Sequence, residues 1–207
     1  MTVCAYKGVK FKVVFLGGSP PDDPMLEELK HWCGEFSRHG LAPRCKGGSC
    51  GNLSFRINKN SNAFVITASG TRLSGRAGRD SFVMVPGVDF KERIVYAYGA
   101  KEPSSESMLH SAIYKKRKDV NAVFHGHCQR ILSTAASKGI SETKKEEPYG
   151  TSALVKRVMD VLGRKKFIVM KGHGFLSLGR TMEEAGGNTF KIYRACFKEL
   201  SKRKRSI

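Results

Sequence analysis

The chain has 207 residues, 40% of them hydrophobic, with 37 basic against 18 acidic side chains and a formal charge of +19. That length supports one substantial core and reads as a single domain over residues 1–207, with an N-terminal extension 1–23 and a basic C-terminal tail 201–207. No run of about 18 apolar residues occurs, so no membrane span is expected, and six scattered cysteines argue against a disulfide scaffold and for a reducing cytoplasm. Lys7, Lys10 and Lys12 interrupt the first apolar stretch, which does not suit a signal peptide.

In chain order, Val9 to Leu16 is rich in Val and Phe and reads as an edge or appended strand. Asp23-Pro24 opens a helix, Asp23 as N-cap and Pro24 at its first position. Leu26, Leu29, Trp32, Cys33 and Phe36 follow at helical spacing as its buried face, and Gly40 ends it. Beyond a glycine-dense loop, Asn52 to Ile57 and Ala63 to Thr67 predict two strands; Ser81 to Val85 and Ile94 to Tyr98 predict two more. Ser104 or Ser105 caps a helix running to Lys118, with Glu106 in its first turn. A strand ending at His125, a helix from Gln129 to Lys138, a helix from Thr151 to Leu162 and a buried strand Phe167 to Met170 come next. Thr181 with Glu184 three residues on forms a capping box for a last helix reaching about Leu200. Grouped strands without a clean βαβ rhythm predict an antiparallel or mixed sheet covered by helices.

The basic excess suits an anionic substrate, a nucleic acid or simple solubility. It lies in short runs, Lys115 to Lys118, Lys144-Lys145, Arg164 to Lys166 and Lys202 to Arg205, without zinc-finger spacing or an RNA-reading aromatic segment. These runs read as solvated faces rather than a nucleic-acid surface, with RNA binding kept as the lesser alternative.

Chemistry concentrates in His125-Gly126-His127, in Glu106 before it, and in His173 between two glycines. Histidines one residue apart project from the same face of an extended run. Imidazole favours Zn, Co, Ni or Fe over Mg, and a carboxylate with two or three imidazoles leaves room for a substrate. A helix followed by a strand returns the chain toward its start, which brings Glu106 back to the pair. On the residues alone other readings stand. The two histidines suit backbone bonds at a strand end, Glu106 suits a helix dipole, and His173 suits an unusual turn.

Five stretches occur in order: Gly47-Gly48-Ser49-Cys50-Gly51-Asn52-Leu53-Ser54-Phe55-Arg56, Ile66-Thr67-Ala68-Ser69-Gly70, Pro103-Ser104-Ser105-Glu106, Ala122-Val123-Phe124-His125-Gly126-His127, and Lys171-Gly172-His173-Gly174. Together they resemble the class II aldolase and adducin family, which includes fuculose-phosphate aldolase, over about Leu26 to Ala195. The resemblance implies a three-layer α/β/α domain with a mainly antiparallel central sheet. It implies a divalent metal, commonly Zn2+ with Mn2+ or Co2+ as alternatives, on His125, His127 and His173, with Glu106 as a ligand that can leave the metal and act as base. A phosphate would lie against Gly51, Asn52, Ser69, Gly70, Ser104 and Ser105. The implied activity is cleavage of a small phosphorylated ketose to dihydroxyacetone phosphate and an aldehyde, by a homo-oligomer, most often a tetramer. Dehydratase, epimerase and decarboxylase reactions of the same family are alternatives, as is a non-catalytic adducin-like role, against which the retained ligands count.

The chain departs from the family pattern between the histidine pair and Tyr149-Gly150-Thr151. The interval Lys138 to Glu147 is short and charged and carries neither the tyrosine that aldolases present as proton donor nor an aspartate. Tyr149 is the remaining candidate donor. The tail beyond Leu200 also lacks an aromatic residue.

Overall fold

A computed structural model describes residues 8–45 and 47–203, with side-chain surroundings through residue 198. The strands are β1 (Lys12–Gly17), β2 (Arg44–Cys45), β3 (Gly48–Ser49), β4 (Gly51–Arg56), β5 (Phe64–Thr67), β6 (Phe82–Asp89), β7 (Ile94–Tyr98), β8 (Ala122–Gly126), β9 (Phe167–Met170) and β10 (Gly174–Gly179). The helices are α1 (Leu26–Arg38), α2 (Ser107–Lys116), α3 (Gln129–Thr134), α4 (Ser152–Leu162) and α5 (Met182–Arg203). Eight strands form one sheet in the order β1-β7-β6-β5-β4-β8-β10-β9, while β2 and β3 pair separately. Only the β1–β7 pair is parallel; the other neighbours in the large sheet are antiparallel.

Strand alternation sorts the core into two layers. Phe64, Ile66, Val83, Val85, Val123 and Leu176 face α2 and α4, where Met108, Ile113, Tyr114, Leu154 and Val158 cover them. Leu53, Phe55, Val65, Phe124 and Phe175 face α1, α3 and α5, against Leu29, Trp32, Phe36, Ile131 and Ala185. The result is the expected α/β/α stack. Because Val123 belongs to the α2/α4 side and Phe124 to the other, His125 and then His127 emerge on the α2/α4 side at the end of the central strand. No helix among the described residues is long and apolar enough to cross a membrane.

Several boundaries differ from the sequence expectation. The first helix starts at Leu26 rather than after Asp23, because Asp23 spends its oxygens on a preceding turn: Oδ1 accepts from Met25 N (2.8 Å) and the carbonyl from Leu26 N (3.0 Å). The helix expected from Ser104 or Ser105 begins at Ser107, which makes Glu106 its N-cap residue, and it stops at Lys116. The helix expected over Gln129 to Lys138 holds α geometry only to Thr134, then tightens into a 3₁₀ turn at Ala136–Lys138. The helix expected from Thr151 begins at Ser152, and Thr151 is its N-cap, accepting from Leu154 N at 3.2 Å. Strand β10 was not expected at all. Its residues, Gly-Phe-Leu-Ser-Leu-Gly, are buried throughout between β8 and β9, so they show no inside–outside alternation.

Of the expected N-terminal extension, β1 joins the sheet edge and residues 1–7 lie outside the described part. Of the expected basic tail, residues 201–203 continue α5, and 204–207 lie outside the described part.

Candidate metal centre

Three separated segments deliver the site. Strand β8 supplies His125, and His127 follows it. The β9–β10 hairpin supplies His173 from its turn, where Gly172 adopts φ +66° and His173 N donates to Met170 O (3.0 Å). The N-terminus of α2 supplies Glu106, whose side chain makes no capping bond to its own helix. It turns to the histidines instead: Oε2 lies 3.1 Å from His125 Nε2 and Oε1 2.9 Å from His173 Nε2. His127 Nε2 is 2.9 Å from His125 Nε2. Glycines make this approach feasible. A Cβ on Gly174 would stand 2.6 Å from His125 Cε1, and one on Gly51 would stand 2.8 Å from the His125 carbonyl oxygen.

The donor set calls for a cation. His125 Nδ1 is 2.9 Å from the Phe175 carbonyl oxygen, an acceptor, so Nδ1 carries the proton and neutral His125 presents a lone pair at Nε2. That lone pair faces both a carboxylate oxygen and a second imidazole nitrogen. The His125 lone pair and the carboxylate oxygen repel at 3.1 Å, and a positive charge between them relieves that repulsion. One nitrogen from each of the three histidines lies within 4.8 Å of the others; a tetrahedral ion with bonds of about 2.0–2.1 Å sets them roughly 3.3 Å apart. The residues fit a divalent metal.

Electrostatics agree. Burial pushes His125 below its ordinary value, partly opposed by Glu106, and pushes His127 well below it, aided by the neighbouring imidazoles. For Glu106, burial alone would raise the carboxyl. His125 and His173, with bonds from His173 and Asn52, outweigh it and hold it well below the usual carboxylate range. An ionised carboxylate beside neutral His125 and His127 is the state a metal requires.

The residues expected to bind phosphate come together beside this cluster. Ala68 bridges Pro103, Ser69 N donates to Glu102 O (2.8 Å), and Gly48 packs on the Gly70 and Thr71 backbone. Ser104 and Ser105 are buried just before Glu106. Some of these groups are already engaged within the protein. The Ser69 N–H is taken by Glu102, Gly51 is needed for the close approach of β8, and Asn52 Nδ2 donates to Glu106 Oε2 at 3.1 Å. The buried Thr71 hydroxyl has no partner. Tyr149 lies under the Lys10 ammonium (4.1 Å to the ring centroid), and the adjoining Gly150 packs on the Ser105 carbonyl.

Two features had escaped sequence reasoning. His110 sits one turn beyond Glu106 on α2, fully buried, with Nδ1 2.7 Å from Ser54 Oγ, which in turn lies 2.7 Å from the Tyr114 hydroxyl. Its spacing of four from Glu106 was the available signal. The interval Lys138 to Glu147 is also tied to the His173 hairpin. Thr143 N donates to Val169 O, Lys171 N donates to Thr143 Oγ1, and the Glu146 carboxylate lies directly on the Gly172 Cα, where a side chain would collide with it.

The sequence profile of the Class II Aldolase and Adducin N-terminal domain matches residues 27–199. The chain belongs to this family. A 5-methylthioribulose-1-phosphate/5-deoxyribulose-1-phosphate aldolase of Escherichia coli is 28% identical over 175 residues, 77% of this chain and 76% of the relative. A 3-oxo-tetronate 4-phosphate decarboxylase of Haemophilus influenzae is 22% identical over 70% of this chain and 74% of its own. Among solved structures, an L-fuculose 1-phosphate aldolase superposes with a TM-score of 0.69 at 20% identity, covering 91% of this chain and 90% of that one. A sugar-phosphate aldolase from Thermotoga maritima also gives 0.69, at 18% identity over 88% and 95%. Strand β1 precedes the part that matches the family profile.

Proposed function

We propose that the protein is a metal-dependent aldolase that cleaves a small phosphorylated ketose to dihydroxyacetone phosphate and an aldehyde. His125, His127 and His173 hold the cation, Zn2+ by choice of donors with Mn2+ or Co2+ as alternatives. The observation that carries the reading is the Glu106 carboxylate lodged among imidazole nitrogens at 2.9 and 3.1 Å, a buried base that shares a site with the cation. When bound, the metal stabilises the negative charge that develops on the substrate's carbonyl oxygen. Glu106 moves the proton at the carbon next to that carbonyl, which requires it to stand beside the reacting atom. Tyr149 is the candidate for the proton on the departing aldehyde's oxygen.

The phosphate is assigned to the wall formed by Ser69, Gly70, Ser104 and Ser105, with Gly51 and Asn52 at its border. The partnerless Thr71 hydroxyl supports a polar ligand there, and short hydroxyls with glycine backbone suit a dianion. We place the protein in a reducing cytoplasm, a setting supported by the scattered spacing of its six cysteines, and assign it a tetrameric assembly on the strength of the family resemblance.

A second reading within the same family is a decarboxylase, dehydratase or epimerase. It draws on the interval Lys138 to Glu147, which brings Glu146 rather than a tyrosine to the His173 hairpin. The test is a panel of fuculose, rhamnulose, ribulose and methylthioribulose phosphates, with phosphorylated 3-oxo acids. Aldehyde release from a ketose phosphate supports the aldolase; CO2 release or dehydration alone moves the assignment to the second reading. Elemental analysis after mild purification should find about one divalent metal per chain. Persistent absence after reloading removes the metal-enzyme reading.

A further inference from the structure

Asn52 occupies a position that serves the fold poorly. It is 6% exposed and lies on β4 directly opposite His125 of β8, so its side chain emerges beside that imidazole. Its neighbour along the strand, Leu53, is wholly buried among apolar side chains. The Asn52 amide makes one bond, from Nδ2 to Glu106 Oε2 (3.1 Å), while its Oδ1 is buried without a donor. The amide cannot be turned round to better effect, because Oδ1 would then face a carboxylate oxygen. A buried carbonyl left unpaired is unfavourable, and an apolar side chain there would leave no such group. What the amide does accomplish is local: it grips one oxygen of Glu106. That oxygen is the one that also stands 3.1 Å from His125 Nε2, where a cation on the histidines would draw it.

We propose that Asn52 is a positioning residue for Glu106, competing with the metal for Oε2 and so keeping the carboxylate available as a base. The role rests on the metal reading above. A hydrogen bond to a charged group is strong enough to shift such a competition by on the order of tenfold. The tug is local, since register holds Asn52 beside His125 and the start of α2 holds Glu106.

The test is a double-variant cycle read by Zn2+ affinity rather than turnover, using competition with a chromophoric chelator. Asn52→Leu should tighten Zn2+ binding by about tenfold in the parent, because Glu106 then falls onto the cation. In the Glu106→Gln background the same substitution should leave affinity unchanged. Equal changes in both backgrounds, no change in either, or weaker binding confined to the Glu106 parent would each overturn the competition. A parent that binds no Zn2+ would overturn the metal centre itself, and is distinguished from those results by the first titration. If Asn52→Leu does not fold by circular dichroism, Asn52→Ala carries the same cycle without the added bulk.

Discussion

Acid should weaken this fold through His110, and the size of the effect follows from its surroundings. His110 is fully buried on α2; one ring nitrogen meets Ser54 Oγ and the other, Nε2, has no partner. Burial pushes its pKa down from 6.5 to about 3, with attraction to Glu106 opposing and repulsion from His125 adding to the shift. The folded value is thus depressed below the unfolded one. Below pH 6.5 the unfolded chain takes up a proton at this position, and the folded chain does not until about pH 3. Stability is therefore fully present above the unfolded value and is lost as pH falls through that window, at up to ~1.4 kcal/mol per unit. Between pH 7.5 and pH 4.5 the loss from this group alone is about 3 kcal/mol. Other buried histidines add to the slope in the parent, so the measurement is a difference. Urea unfolding of the parent and of His110→Leu, with chelator throughout, is compared at pH 7.5 and pH 4.5. The variant starts from its own baseline, but should lose about 3 kcal/mol less on acidification. Parallel losses in the two proteins would show that His110 titrates normally or that the folded site takes up the proton without penalty, and the argument would fail.

Glu106→Gln should preserve the fold and lower turnover by on the order of 10² to 10⁴, the usual effect of removing a general base; activity within a few-fold of the parent would make the residue structural. Gly126→Ala would put a methyl group 2.5 Å from Phe175 Cζ and 2.8 Å from the Leu41 carbonyl oxygen. A destabilisation of ~1–3 kcal/mol is expected from that crowding, against little change for Gly18→Ala, which meets nothing within 4 Å; equal stabilities in denaturant titrations would refute the close packing. Sedimentation at micromolar concentration should report a closed homo-oligomer, most simply a tetramer, and a monomer would contradict that assembly. Removing the phosphate from a ketose substrate should cost at least about tenfold in kcat/KM. Equal rates on phosphorylated and neutral sugars would leave Ser104 and Ser105 with only their structural contacts at the start of α2.

Much of the layered fold was legible in local pattern. The apolar face of α1, the strands β4, β5, β7 and β9, and the Thr181 cap all depend on neighbours within a few residues, which a sequence displays directly. Strand β10 was hidden because it lies between two other strands with both faces covered; without a solvent side it has no alternation to reveal it. The identities of His125, His127, His173 and Glu106 were equally legible, as was the fact that two histidines one residue apart share a face.

What the sequence determined by itself is the set of donor atoms and the short-range geometry that presents them. Tertiary structure decided which donors meet and which groups control them. Glu106 could have served its helix dipole; α2 begins at Ser107 with no capping bond from the Glu106 side chain, and the register of β4 against β8 and β10 against β8 brings Asn52 and the His173 hairpin to it. The contacts of Asn52 with Glu106, 54 residues away, and of Glu106 with His173, 67 residues away, belong to that register. Pairings over such separations are set by how sheet and helices close on one core, and nothing in the intervening residues encodes the distance.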